Sequence, residues 1–347
     1  MIDVFLSIST SCLITFFTIP IVISIVRHNE KFLDKPSSDR SSHKVSVPTF
    51  GGIAIFCGIL FSIIFWIKLG EYTVLQPILS ALLIVFFIGV VDDLISLSPF
   101  KKLIGQLLAI TVVIYFTDLR INSMYGIFTI HELPYWLSLL LTSFTMVVIT
   151  NAYNLIDGLD GLAASVGIVM TFFFGLLFLI NNQLEYVILS WSLAGALLGF
   201  LRFNFHPAKI FMGDTGSLVV GFLLSVFAVN IVESNIVYEE FDFTAKGSAL
   251  AIAILIVPLF DALRVFVIRV SKGVSPLDPD RNHIHHNLSD LGYGHRRTSL
   301  YICLANLFFI GLVVFLRDLG VNYILLIILL LAVGLSMIPI WMKKRRG

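Results

Sequence analysis

The stretch Val74-Leu-Gln-Pro-Ile-Leu-Ser80-Ala-Leu-Leu-Ile-Val85-Phe-Phe-Ile-Gly-Val90-Val91-Asp92-Asp93 sets an uncharged, apolar run against two adjacent carboxylates. A run of roughly 20 such residues is what an α-helix needs to cross a bilayer, where the backbone must bond within itself. The pattern recurs along the chain, at 4–26, 50–67, 74–91, 101–117, 134–151, 162–180, 186–203, 217–232, 247–270, 299–316 and 321–342. The 347 residues are 58% hydrophobic and 13% charged, with a mean hydropathy of +0.97. Soluble chains carry about 25% charge. The expected fold class is an all-α polytopic membrane protein of about eleven transmembrane helices, or ten should one of the two short runs, 101–117 or 217–232, not cross. A formal net charge of +1 and three cysteines exclude a disordered chain, a secreted disulfide scaffold and a basic nucleic-acid binder. Cys12, Cys57 and Cys303 fall in separate apolar runs and read as small core-filling thiols.

The first run lacks a preceding basic region and reads as a retained span. Eleven spans put the termini on opposite sides. Of the 23 Lys and Arg residues, 19 fall in one alternating set of connections, including Lys343-Lys344-Arg345-Arg346. By the positive-inside rule that set is cytoplasmic, the N-terminus is outside and the C-terminus is cytoplasmic. The longest outer connection, 118–133, has β-branched and aromatic residues flanking Tyr125-Gly126 and predicts a small hairpin. No internal repeat of the kind found in many secondary transporters is visible.

The polar clusters all fall on the basic side, in loops 27–49, 92–101, 151–161, 202–216 and 271–298 of a single integral membrane domain, 1–347. Lys44 precedes Pro48 and Gly51-Gly52, where a stiff turn and a close backbone approach can fix one cation at a pocket rim. Asp92 and Asp93 repel each other, so one is expected to neutralise or to find a cation; the alternatives are a solvated helix end or a magnesium and phosphate site. In Asn154-Leu-Ile-Asp157-Gly158-Leu-Asp160-Gly161, the Asn and the two Asp recur every three residues and share a helix face. Asn204 and Phe211 precede Gly213-Asp214-Thr-Gly216. Asp214 can simply cap the next helix, yet that helix N-terminus also attracts phosphate, and a carboxylate there opposes an anion unless a metal lies between them. Asp214 is therefore the leading metal-ligand candidate. Arg281 and His283-Ile-His285-His286 gather three of the eight histidines beside a guanidinium. Zinc is the rival to phosphate recognition there, but no thiol is near. Asp261 and Arg264 read as a local pair and as outer supports. Carboxylates for Mg2+, cations for phosphate and apolar helices together suit phosphoryl transfer onto a lipid phosphate. An ion- or sugar-coupled transporter is the alternative class, but it places its ionisable groups at mid-membrane depth.

In order along the chain, Asp92-Asp93, Asn154 to Gly161, Phe211-Met-Gly-Asp214-Thr-Gly-Ser and Pro279-Asp280-Arg281-Asn-His283-Ile-His285-His286 resemble the motifs of the polyprenyl-phosphate N-acetylhexosamine-1-phosphate transferases. The resemblance implies transfer of a sugar-1-phosphate from a UDP-N-acetylhexosamine to undecaprenyl phosphate with release of UMP, an early step of envelope polysaccharide synthesis in the bacterial cytoplasmic membrane. It implies Mg2+ as cofactor, with Mn2+ as a substitute, no nucleic acid, contact with membrane lipids and, by analogy, a homodimer. The Pro-Asp-Arg and His-Ile-His-His pattern is similar to the branch using UDP-N-acetylglucosamine. Thr49-Phe50-Gly51-Gly52 departs in part from the branch using UDP-MurNAc-pentapeptide, the alternative substrate. Carried over by position, Asp92, Asp93, His285 and His286 are implied as catalytic. Lys44, Asn154, Asp157, Asp160, Asn204, Phe211, Arg281 and His283 are implied in substrate binding, with Phe211 stacking on uracil, and Asp214 with Asp157 in metal binding.

Overall fold

A computed structural model describes residues 2–28, 33–34, 47–67, 73–234, 236–238, 241–243, 246–273 and 283–346. Lys44 and Arg281 lie outside the described residues. Among the described residues thirteen α-helices follow in order: α1 Ile2–Arg27, α2 Gly51–Trp66, α3 Leu75–Ile95, α4 Pro99–Thr117, α5 Tyr135–Leu155, α6 Leu162–Ile180, α7 Leu184–Asn204, α8 Gly213–Glu233, α9 Gly247–Ile254, α10 Ile256–Ser271, α11 Ile284–Asp290, α12 His295–Phe315 and α13 Val321–Arg346. Two-residue strands β1 (Leu33–Asp34) and β2 (Val47–Pro48) pair antiparallel, as do β3 (Val237–Tyr238) and β4 (Phe241–Asp242).

Each of the eleven apolar runs is helical; the two short runs, 101–117 and 217–232, form helices long enough to cross, and the run that falls short in length is 50–67. Among the described residues nine helices are long and apolar enough to cross a membrane, and ten if the bent pair α9–α10 is one span. The run 50–67 forms a helix of only 16 residues, about 24 Å at 1.5 Å per residue against a hydrocarbon core of about 30 Å. The protein is a multi-pass membrane protein built around α8, of which 94% of the most apolar window is buried inside the fold.

The run 247–270 is broken by 78° between α9 and α10. Pro258 has no N–H to give the carbonyl four residues back, which orphans the Ile254 carbonyl inside an apolar setting. Buried Asn306 of α12 repairs this, its Nδ2 donating to the carbonyls of Ala253 and Ile254 at 3.1 and 3.0 Å. The hairpin expected in 118–133 is present in reduced form, a single bridge between Ser123 and Glu132 around a positive-φ Gly126.

Helix ends sort into two faces. On one, the starts of α2, α4, α6, α8 and α12 meet the ends of α3, α5 and α7. On the other, Trp66 of α2 bonds Thr10 of α1, Glu233 of α8 bonds Asn122, and Lys246 bonds the Arg317 carbonyl.

Candidate active site

The first face is organised by the N-terminus of α8. Its first N–H groups have no partner within the helix, and Asp93 at the end of α3 supplies one from outside. Asp93 Oδ1 accepts from the Asp214 N–H at 2.8 Å, and Oδ2 accepts from the Thr215 N–H at 3.0 Å and its hydroxyl at 2.5 Å. The close approach expected of Gly51-Gly52 is realised here: their N–H groups donate to the carbonyls of Phe211 and Met212, each at 2.9 Å. A Cβ on Gly52 would come within 2.1 Å of the Gly216 nitrogen. Phe211 is thereby held by its backbone against β2, donating to the Pro48 carbonyl at 2.7 Å.

Asp92, adjacent to Asp93, points elsewhere. It is buried, accepts from the Leu97 N–H at 2.7 Å and pairs with Lys102 at 2.6 Å. Lys102 also lies 3.3 Å from Asp214 Oδ1. The acidic pair has found its cation, one that sequence reasoning did not single out. A signal was there: Lys102 sits in the first turns of α4, where a cation opposes the helix dipole and needs an acidic partner to be favoured.

Asp214 keeps 32% of its side chain exposed. Asn154 Oδ1 stands 2.5 Å from the Ser217 hydroxyl one turn further along α8. Burial, together with the charges of Asp214, Asp93 and Asp160, pushes the Asp157 carboxyl up to about 7. So many carboxylates around one ammonium leave the pocket short of positive charge. The donors are all oxygen, which is the set that Mg2+ takes. Asp214, part-exposed, and Asp157 are the carboxylates here that could hold such an ion, whereas both oxygens of Asp93 are spent on α8.

Two of the implied substrate-binding residues turn inward. Asn204 is 3% exposed, accepting from the Gly161 N–H and donating to the Ile210 carbonyl, each at 2.9 Å. Asp160 is 2% exposed and bonds His206 at 2.7 Å and the Ala208 N–H at 3.1 Å. Both brace the site from behind.

The histidine segment docks against this group. Asp261 of α10 caps α11, accepting from the Ile284 N–H at 2.9 Å, and holds His283 Nδ1 at 2.7 Å. The expected local pair with Arg264 is present at 3.3 Å, and Asp261 makes its shorter contact with His283. His285 lies against the Asp157 turn: a Cβ on Gly158 would fall 2.7 Å from its Nε2. Burial, with His286 next, drives the His285 imidazole down to about 3, which favours the neutral ring. His286 is the more exposed of the two implied catalytic histidines. Sequence reasoning missed His206 and His295; a His before Pro207 and another opening a helix gave no local sign of sharing Asp160.

An apolar cavity of about 310 Å³ opens beside α11, lined in part by Ile156, Phe260, His285, Leu288 and Phe309. A second, about 230 Å³, lies along α5, α8 and α9 by Phe144, Val229 and Ala251.

Residues 75–232, from α3 through almost all of α8, match the family described as glycosyl transferase family 4. The chain is 32% identical over 332 residues to a probable undecaprenyl-phosphate N-acetylglucosaminyl 1-phosphate transferase of Bacillus subtilis, covering 94% of this chain and 89% of that one. It is 34% identical to a decaprenyl-phosphate N-acetylglucosaminephosphotransferase of Mycobacterium leprae, covering 88% and 81%. An undecaprenyl-phosphate alpha-N-acetylglucosaminyl 1-phosphate transferase of Escherichia coli O157:H7 is 27% identical, covering 86% and 81%. These likenesses set the transporter alternative aside, and with α3 to α8 forming both the matched region and the acidic site, the chain belongs to glycosyl transferase family 4 as a membrane-embedded glycosyl-1-phosphate transferase.

Proposed function

We propose that the protein transfers N-acetylglucosamine-1-phosphate from UDP-N-acetylglucosamine to a polyprenyl phosphate, undecaprenyl phosphate in the first instance, and releases UMP. The observation that carries this reading is the convergence at the α8 N-terminus of an exposed Asp214, the Asp92–Lys102 pair and the Asp157 turn. The relatives' names support the sugar and the lipid class. The apolar cavity beside α11, which His285 and Ile156 help to line, supports an acceptor with a hydrocarbon tail.

Asp214 and Asp157 would hold Mg2+, which would neutralise charge on the diphosphate. The chain's own residues do the rest. Lys102, held between Asp92 and Asp214, offers its ammonium to phosphate oxygens as negative charge shifts to the leaving UMP. A phosphate oxygen of the acceptor attacks the sugar-linked phosphorus in line, and the bond to the UMP oxygen breaks. The acceptor is already an anion and needs no strong base. Asp93, with three hydrogen bonds on its carboxylate, orients α8 and is a poor candidate for a covalent nucleophile. Phe211 stacks on uracil, and His285 and His286 face the sugar phosphate. The bias of Lys and Arg, read in sequence, toward the connections that carry the site's motifs supports a cytoplasmic orientation in a bacterial inner membrane.

The test is UMP release by detergent-purified protein given polyprenyl phosphate, Mg2+ and a series of UDP-sugars. UDP-N-acetylglucosamine is expected to be turned over fastest. Preference for UDP-MurNAc-pentapeptide, or release without lipid phosphate, would contradict the proposal.

A further inference from the structure

Asp160 lies just before α6, and two imidazoles from distant parts of the chain close on it. His206 belongs to the loop after α7, and His295 opens α12. Their Nδ1 atoms stand 2.7 and 3.5 Å from Asp160 Oδ2. One ligand atom from each of the three residues lies within 4.8 Å of the other two. The two rings lie with centroids 4.4 Å apart and their planes tilted by 40°. We propose that Asp160, His206 and His295 bind a divalent transition-metal ion of the Zn2+ class, at a site separate from the oxygen donors of Asp157 and Asp214.

Two imidazole nitrogens and one carboxylate oxygen suit Zn2+, with bonds of about 2.0–2.2 Å, and leave a fourth position open. Mg2+ selects oxygen donors and keeps several waters, so this set discriminates against it. Ligand atoms around a tetrahedral ion with such bonds stand about 3.3 Å apart. The pair at 3.5 Å already meets that spacing, and the pair at 2.7 Å has to open by about half an ångström. That short contact is a hydrogen bond, and its proton stands where the ion goes. On binding, the Nδ1 proton of His206 is exchanged through solvent to Nε2. His295 Nδ1 accepts from the Asp160 N–H at 3.3 Å, so this nitrogen carries a lone pair, which turns from that long contact to the ion on binding. The Ala208 N–H, 3.1 Å from Asp160 Oδ2, orients the carboxylate as an outer partner does in metal sites. His206 leaves 44% of its side chain exposed, which gives the ion a way in. The nearby Arg296 is held on the His206 carbonyl at 2.8 Å. An ion here would tie together the Asp157 turn, the loop leading to Phe211 and the start of α12.

The experiment is a Co2+ titration of chelator-treated protein in detergent, with excess Mg2+ present to fill the oxygen site. One Co2+ per chain with visible d–d absorption is expected, displaced by Zn2+. The affinity should fall at least tenfold in His206→Ala and in His295→Ala and stay unchanged in His286→Ala. Absence of bands in the wild type, or bands lost in His286→Ala but kept in His206→Ala, overturns the assignment. X-ray absorption on Zn2+-loaded wild type needs no variant: two imidazoles are expected in the first shell, and an all-oxygen shell or three imidazoles overturns it.

Discussion

Helix α8 carries a carboxylate at each end, and the two ends have opposite fates. At the C-terminal end, Glu233 opposes the helix dipole but is fully engaged: the Asn122 N–H and Nδ2 donate to its two oxygens, each at 2.8 Å. At the N-terminal end, Asp93 arrives from α3 to satisfy the backbone, which releases Asp214 from capping and leaves it partly exposed beside Lys102. A carboxylate whose oxygens are taken by fixed N–H groups holds a loop. One crowded by other acids and partly open to solvent is available to an ion or a substrate. The difference lies in the partners, since both ends read in sequence as an acid at a helix terminus.

The comparison breaks most sharply at Asp214. Asp214→Asn should lower the rate of UMP release by about 1000-fold, as removal of a group aimed at developing charge does, while the melting temperature in the absence of Mg2+ stays near wild type. Lys102→Met comes next. It leaves Asp92 buried without its cation, so a loss of about 3 kcal/mol in stability and of about 100-fold in rate is expected, with partial rescue by Lys102→Arg. A stability loss without a rate loss would make Lys102 a structural partner alone. Phe211→Ala should raise the KM for the UDP-sugar about tenfold with little change in kcat, from the roughly 1–3 kcal/mol of base stacking; an unchanged KM removes it from the pocket.

A pH series sharpens the same contrast at the neighbouring histidine helix. Burial pushes the His285 imidazole down to about 3, below its ordinary value near 6.5. The unfolded chain therefore takes up a proton that the fold refuses, so this contribution to stability is present above about pH 6.5 and is lost as pH falls toward 3. Wild type should lose more melting temperature between pH 7.5 and 4.5 than His285→Gln does. Equal losses would mean that the ring is open to solvent. The smallest effect belongs to Glu233→Gln, which keeps a neutral acceptor at the far end: about 1 kcal/mol of stability and a rate within about twofold of wild type are expected.

The membrane-spanning architecture was legible in the apolar runs because every one of them had to be helical in a bilayer. Its failures are local. The break at Pro258 was read as continuous helix because its repair, Asn306, comes 48 residues later in sequence, within another apolar run. The site was legible as a set of polar types on one side. What each residue does was not, because Asp92 and Asp93 are neighbours in sequence with different partners, Lys102 and α8. Asp160 and Asn204 sit in motif positions yet face the protein interior. Partners such as His206 and His295 are set by tertiary packing, which no spacing along the chain encodes, and the place of Lys102 in the first turns of α4 called for an acid without saying which.

The most direct test is the rate of UMP release from UDP-N-acetylglucosamine and polyprenyl phosphate, measured side by side for Asp214→Asn and Glu233→Gln in the same detergent with both proteins verified as folded. A loss of about 1000-fold at the first position and near wild-type turnover at the second is the predicted result. Comparable rates for the two variants would contradict the claim that the chemistry resides at the N-terminal end of α8.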